Sequence, residues 1–319
     1  MHRRALLKTM GTAVPAAAIS SHLRAVGVDD PPEHDNGGRR SRQPVTTTDA
    51  DWQSVADALG RSGKLNGGTV YRVAFPRRDL FVTSYGVVIK AGLSLGGYTA
   101  FSRYRDGKAM AMGDLVVTEP ELPGVADALL DNGISLTGVH KHLLAHEPDL
   151  WWAHFHSIGD STGIARGLRD ALDQTTTAPP APSAPPPPLD LDTAGIDAAF
   201  GRPGTNDGGI YKFSFARNET AAIDGRITLP AMGVSTALNF QPVGQHKAAI
   251  NGDIVLTASE VQTVITALRR GGIQVVELHN HGLADQPRLF YLHFWSIDDG
   301  VALARTLAAA VHDTNVHPI

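Results

Sequence analysis

Val139-His140-Lys141-His142, followed after one connection by His154-Phe155-His156, returns 139 residues later as Leu278-His279-Asn280-His281 with His293-Phe294-Trp295. Alternate side chains of a strand share a face, so His140 and His142 are expected to point the same way, as are His154 and His156 one short turn later. One hairpin then presents four imidazoles together. The second copy offers His279, His281 and His293, with Trp295 in the fourth place. Eight of the 14 histidines fall in these two segments when His146 is counted, a concentration that a packed core does not require.

Working outward, the repetition continues. Gly113-Asp114-Leu115-Val116-Val117-Thr118 matches Gly252-Asp253-Ile254-Val255-Leu256-Thr257, and Glu147-Pro148 corresponds to Gln286-Pro287. Upstream, Gly60-Arg61 is mirrored by Gly201-Arg202, and downstream 163–172 and 300–309 both read as helices rich in Ala, Leu and Arg. Each copy is therefore a complete supersecondary unit. Short β-branched runs separated by turns such as Asp106-Gly107 read as strands, while 52–59, 121–130 and 258–269 read as helices. Val261, Val264, Ile265 and Leu268 form one apolar stripe, the mark of a core-facing helix. The expected fold class is α+β: two homologous domains from an internal duplication, each a mostly antiparallel sheet with covering helices.

The domain organisation follows from composition. Arg3-Arg4-Ala5-Leu6-Leu7-Lys8 before a small, apolar run resembles a twin-arginine export signal over 1–26. A polar, disordered spacer (27–49) is expected next, then a first repeat domain (50–174), a Pro-rich tether (175–193) and a second repeat domain (194–315). The chain is thus expected to be exported, periplasmic or extracellular. No later apolar stretch is long enough to span a bilayer. A formal charge of −4 leaves no nucleic-acid footprint, and the absence of cysteine excludes disulfides and thiolate chemistry.

Several neutral imidazoles within mutual reach suit a divalent transition metal, with zinc favoured. The candidate ligands are His140, His142, His154, His156, His279, His281 and His293. Glu147, in the connector that returns His154 toward His140, is the candidate general base for a metal-bound water. His146 sits in the same connector with no direction assigned. Asp160 and Asp299, and likewise Asp114 and Asp253, occupy equivalent positions from which an imidazole N–H could be oriented, although Gly-Asp pairs are read first as ordinary turns. Phe155, Phe294, Leu289 and Tyr291 are read as sheet packing.

The spacing His140-x-His142-x4-Glu147, then His154, resembles the cupin metal motif in coordination chemistry alone, because helices intervene here and the unit is duplicated. A resemblance covering 50–173 and 194–314 is carried best by Leu278-His279-Asn280-His281 and Gln286-Pro287-Arg288-Leu289-Phe290-Tyr291-Leu292-His293-Phe294-Trp295. Through these residues the chain resembles the LppY/LpqO family of exported bacterial proteins and lipoproteins with an uncharacterised domain. The resemblance implies an envelope setting and no particular reaction. Copy one departs by placing Lys141 where copy two has Asn280, and the chain has no lipid-accepting cysteine.

Three functions are consistent with this pattern. The first is a metal-dependent hydrolase or lyase acting on an unknown small molecule or envelope component. The second is a non-enzymatic metal- or ligand-binding protein. The third is a structural protein whose histidines knit the two domains across a pseudo-twofold interface.

Overall fold

The computed structural model describes residues 41–181 and 185–318. The expected export signal and most of the spacer lie outside the described residues. In repeat one the strands are β1 (Lys64–Asn66), β2 (Val70–Pro76), β3 (Thr83–Ser84), β4 (Val87–Val88), β5 (Gly96–Arg103), β6 (Ala109–Thr118), β7 (Ser135–His140), β8 (His146–Glu147) and β9 (Leu150–Gly159). Its helices are α1 (Gln53–Leu59), α2 (Ala91–Ser94), α3 (Leu122–Asp131) and α4 (Ser161–Leu172). Repeat two begins with α5 (Thr193–Phe200), β10 (Thr205–Asp207), β11 (Ile210–Arg217), β12 (Ala222–Ile223) and β13 (Arg226–Ile227). It continues with β14 (Ser235–Gly244), β15 (Lys247–Leu256), α6 (Val261–Arg270), β16 (Gln274–His279), β17 (Asp285–Gln286), β18 (Phe290–Asp299), α7 (Gly300–His312) and β19 (Val316–Pro318).

Each repeat builds one antiparallel sheet, ordered β1-β2-β5-β6-β9-β7 in the first and β10-β11-β14-β15-β18-β16 in the second, with β19 added beside β11. Strand alternation sorts the residues of each sheet onto two faces. On one face of the first sheet, Phe101, Ala111, Leu115, Val117 and Phe155 pack under Val55, Val125 and Leu168 of α1, α3 and α4. Phe240, Ile250, Ile254 and Phe294 do the same under Ile196, Val264 and Leu307 of α5, α6 and α7. The opposite faces meet one another. Val116 and Trp152 of repeat one share an apolar cluster with Ala249 and Trp295 of repeat two, and Tyr98, Met110 and Met112 share another with Ile223, Met232 and Val234. The order is helices, sheet, sheet, helices, so the surface joining the repeats is itself a buried layer.

Short arms cross that layer. β3 and β4 form a three-stranded patch with β8, as β12 and β13 do with β17. Gln241 of repeat two donates to the Val88 carbonyl (2.7 Å) and accepts from the Lys90 amide (2.9 Å), while the Tyr104 hydroxyl donates to the Ile227 carbonyl (2.7 Å).

Both repeats carry an arginine clamp that the sequence reading missed. Arg77 forks between Asp79 and Glu121 and donates to the Val116 carbonyl; Arg217 does the same with Glu219, Glu260 and Val255. Full burial of Arg77 is tolerated because two carboxylates and a carbonyl satisfy the fork.

Two expectations about connecting segments change. Of the expected disordered spacer, 41–49 is described and engaged: the Arg42 amide donates to the Gly225 carbonyl (2.7 Å) and the Val45 amide to the Arg103 carbonyl (2.9 Å). The Pro-rich tether is pinned at both ends, by Thr176 on Asp79 and Glu121 and by the Pro187 carbonyl accepting from Asn206 (2.8 Å). Among the described residues no helix is long and apolar enough to cross a membrane.

Candidate metal centre between the repeats

The histidines of the two hairpins converge on a single cluster in the inter-sheet layer. His140 stacks on its repeat equivalent His279, with ring centroids 3.6 Å apart. His142 lies 3.8 Å from His293, and the equivalent pair His281 and His154 lies 4.0 Å apart. The His140–His154 and His279–His293 separations, 4.8 and 4.7 Å, match as well. The rings are thus related by a pseudo-twofold passing between His140 and His279.

A shared backbone irregularity aims these side chains. In the β7–β9 ladder Leu136 pairs with Phe155 but Gly138 pairs with His154, so one extra residue, Thr137, is inserted; β16 carries the same bulge between Val275 and Glu277. An unbroken strand would put His140 on the face of Leu136, beneath the helices. The bulge moves His140 onto the inner face opposite Trp152, and His279 opposite Tyr291. His142 lies beyond the end of β7, in the bend that follows. The close crossing also explains Gly138: a Cβ there would stand 2.9 Å from the Asn280 carbonyl oxygen.

Gly113-Asp114 and Gly252-Asp253, read first as turns, lie in the middle of β6 and β15. Their glycines donate nothing through a side chain but bring two carbonyls to the histidines. His154 Nδ1–H donates to the Gly113 carbonyl (3.3 Å) and His293 Nδ1–H to that of Gly252 (2.6 Å). A Cβ on either glycine would fall 2.0 Å from a neighbouring-strand carbonyl oxygen. His281 Nδ1–H is similarly taken by the Gly233 carbonyl (3.0 Å). Each bond fixes the tautomer and leaves Nε2 as a lone-pair donor turned inward.

Apart from His293 Nε2, which meets His140, those inward atoms have no hydrogen-bond partner among the described residues. Nε2 of His142, His154 and His281, both nitrogens of His279, Nδ1 of His140, and one oxygen each of Asp114 and Asp253 are buried without a hydrogen bond among the described residues. His281 Nε2 lies 3.1 Å from Asp253 Oδ2 without hydrogen-bond alignment. His140 and His293 bring their Nε2 atoms to 3.2 Å. Each unsatisfied buried polar atom costs about 1–3 kcal/mol, so the arrangement calls for an external partner.

The electrostatics agree. Burial, reinforced by the neighbouring imidazoles, holds His140, His142, His154 and His279 far below the ordinary histidine pKa, and burial brings His281 down to about 3. Burial lowers His293 too, with Asp253 opposing it. All six stay neutral, the form in which imidazole binds metal. Burial raises Asp114 to about 7 and Asp253 to about 6; Arg72 opposes the first shift and the Asp253 charge adds to it. Donor atoms able to hold an ion group as His140, His142 and His293; His140, His154 and His279; Asp114, His142 and His154; and Asp253, His279 and His281. A cavity of about 850 Å³ opens on the cluster, lined by Asp114, His142, His154, Asp253, His281 and His293. Arg72 and its repeat equivalent Lys212 also line it.

Six of the seven histidines expected as ligands are therefore brought together, and His156 stands apart. It shares the inner face with His154 but sits one step along the strand, where Asp224 and Arg226 act on it. Glu147 does not join the cluster: it is exposed on β8, with its backbone paired to Thr83. The carboxylates at the centre are instead Asp114 and Asp253. Asp160 and Asp299 cap helices, accepting from the amides of Gly163 and Ala302. His146 Nε2 accepts from the Leu150 amide (3.0 Å), as its equivalent Asp285 accepts from that of Leu289 (2.6 Å), so both brace the connector. The clue to a joint centre was the recurrence of His at three equivalent positions in both copies, which one self-sufficient hairpin would not need.

Comparison with known proteins adds the family. No curated protein matches the chain. Among solved structures, EtuB from Clostridium kluyveri is similar at 11% identity over 80% of this chain and 94% of that one, with a TM-score of 0.19. The trimeric bacterial microcompartment shell protein PduB is similar at 11% identity over 78% and 88%, also with a TM-score of 0.19. Likenesses at this level carry no argument about fold or function. The duplication, the antiparallel sheets and the paired histidine segments have their counterpart in a family match made twice, over residues 53–174 and 194–313, and the chain belongs to the family described as Domain of Unknown Function (DUF1259), the LppY/LpqO-like family.

Proposed function

We propose that the protein is an exported metal-dependent hydrolase or lyase whose centre is shared by the two repeats, with zinc as the favoured ion. The observation that carries this reading is the set of buried, neutral imidazole nitrogens with no hydrogen-bond partner among the described residues, bordering a cavity. Three-ligand sets of imidazole and carboxylate suit zinc and leave a coordination position open. Zinc held by these imidazoles and carboxylates would supply Lewis acidity. The chain's own residues do the remaining work. The carbonyls of Gly113, Gly252 and Gly233 lock the imidazole tautomers. Asp114 and Asp253 bring negative charge when ionised, and the cavity admits a small substrate beside them. The N-terminal Arg3-Arg4 segment supports action outside the cytoplasm.

The test is the metal content of tag-free protein against the His140→Ala/His142→Ala double variant, followed by ester, amide and phosphoester hydrolysis assays before and after chelation. Stoichiometric metal lost in the variant, with turnover abolished by chelator and restored by zinc, is the expected result. Protein that takes up no zinc, manganese, iron or copper ends this reading. A second reading, metal holding without catalysis, draws on the exposed position of Glu147, which leaves that base away from the centre. It is selected if the loaded protein turns over no substrate of these classes.

A further inference from the structure

We infer that the centre holds two metal ions, one in each of two ligand sets that share no residue. This rests on the metal-centre reading above and goes beyond it in nuclearity. Asp114, His142 and His154 bring one donor atom each within 4.8 Å of one another, and Asp253, His279 and His281 do the same. Each set is two imidazoles and one carboxylate, a complete group of protein ligands for an ion that keeps open positions. Ligands of one ion bound at about 2.1 Å stand about 3–4 Å apart, so small side-chain adjustments close each set on its ion.

The number of donors points the same way. Six imidazoles and two carboxylates converge, whereas a single zinc ion in a protein takes four ligands. The two residues outside both sets, His140 and His293, come from opposite repeats and hold their Nε2 atoms 3.2 Å apart between them. That spacing matches two ligands on one ion, and the pair groups with His142 of the first set. The unpartnered atoms are distributed over both sets: Asp114 Oδ1, His142 Nε2 and His154 Nε2 in one, Asp253 Oδ1, His281 Nε2 and both nitrogens of His279 in the other. One ion in one set would leave the other set's buried donors unsatisfied. The pseudo-twofold carries Asp114, His142 and His154 onto Asp253, His281 and His293, so the two sets are not images of each other and the two ions sit in unequal environments.

The experiment is equilibrium dialysis of the full-length, tag-free protein against zinc, with bound metal measured by plasma emission, on wild type, Asp114→Ala and Asp253→Ala. The expected result is two ions per chain in wild type and one in each variant. Saturation of wild type at one ion overturns the inference while leaving the metal-dependent function standing; uptake of no ion overturns both. Should either variant lose its fold by circular dichroism, cobalt(II) titration of wild type decides alone. Two ions in one centre give a paramagnetic resonance signal that rises to the first equivalent and falls on the second through magnetic coupling. A signal that rises steadily to saturation overturns the shared two-ion centre.

Discussion

The two repeats agree at every donor position of the centre and disagree around it. His140, His142, His154 and Asp114 recur as His279, His281, His293 and Asp253, together with the strand bulge and the glycine carbonyls that aim them. Beside them, Tyr98 becomes Ala237, Met112 becomes Asn251, Gly138 becomes Glu277 and His156 becomes Trp295. These changes alter how each repeat meets its sister. Asn251 donates to the His142 carbonyl (2.6 Å) across the interface, while Met112 packs in the apolar cluster around Met232. Two copies that have drifted at neighbouring positions have kept the donors and the backbone device that positions them. The constraint therefore lies on the joint centre, and the surrounding layer was free to specialise.

What the repeats share gives the largest expected effect. The six imidazoles have folded-state pKa values below the ordinary one near 6.5, so the unfolded chain takes up protons that the folded metal-free chain does not. Stability present above that pH is lost as pH falls through and below it, by up to about 1.4 kcal/mol per pH unit for each imidazole. Asp114 and Asp253, raised to about 7 and about 6, act oppositely between those values and the ordinary carboxylate range, but they are two groups against six. Urea denaturation of metal-free protein is expected to show a large loss between pH 7.5 and 5.5. A flat profile would mean that the imidazoles are solvated and the joint centre is not formed.

Where the repeats differ, smaller effects test whether the divergence is real specialisation. Trp295 is fully buried in the layer between the sheets, and Trp295→Ala is expected to cost about 3–5 kcal/mol. His156→Ala, at the equivalent place, is expected to cost under about 1 kcal/mol and to leave metal content unchanged. Equal costs in denaturant midpoints, or metal loss in the histidine variant, would restore His156 to the centre. The smallest contrast is at the crossing of β7 and β16. Gly138→Ala drives a Cβ against the Asn280 carbonyl and is expected to cost about 1–3 kcal/mol, whereas Glu277→Ala is expected to stay under about 1 kcal/mol. Matching stabilities for these two variants would show that the repeats do not approach as closely as described.

The duplication, the antiparallel sheets, the amphipathic helix 261–270 and the six histidines that meet between the sheets were legible because they are marked by residue type and short-range pattern. They follow from periodicity, turn chemistry and residue type over a few positions at a time. The role given to Glu147 failed for the same reason: a connector brings it near His154 in sequence, while the fold sends it into a surface ladder with Thr83. From sequence, Asp114 and Asp253 admit either an imidazole-orienting role or an ordinary turn, because Gly-Asp in isolation favours a turn. The strand runs 108–117 and 247–256 are legible around them, but only the closure of the two sheets buries both carboxylates beside the imidazoles.

The sequence alone established that this chain is two copies of one unit and that each copy carries imidazoles at equivalent places. Tertiary structure alone decided that the copies share one centre. A single inserted residue in β7 and in β16 turns His140 and His279 from the helix-covered face to the inner one, and a bulge leaves no mark in residue type. Which faces then meet is set by apolar area contributed from the other repeat, through Trp152 and Trp295, Tyr98 and Met232. Burial on that scale keeps the imidazoles neutral and unpartnered, and it exists only once both sheets have closed on each other.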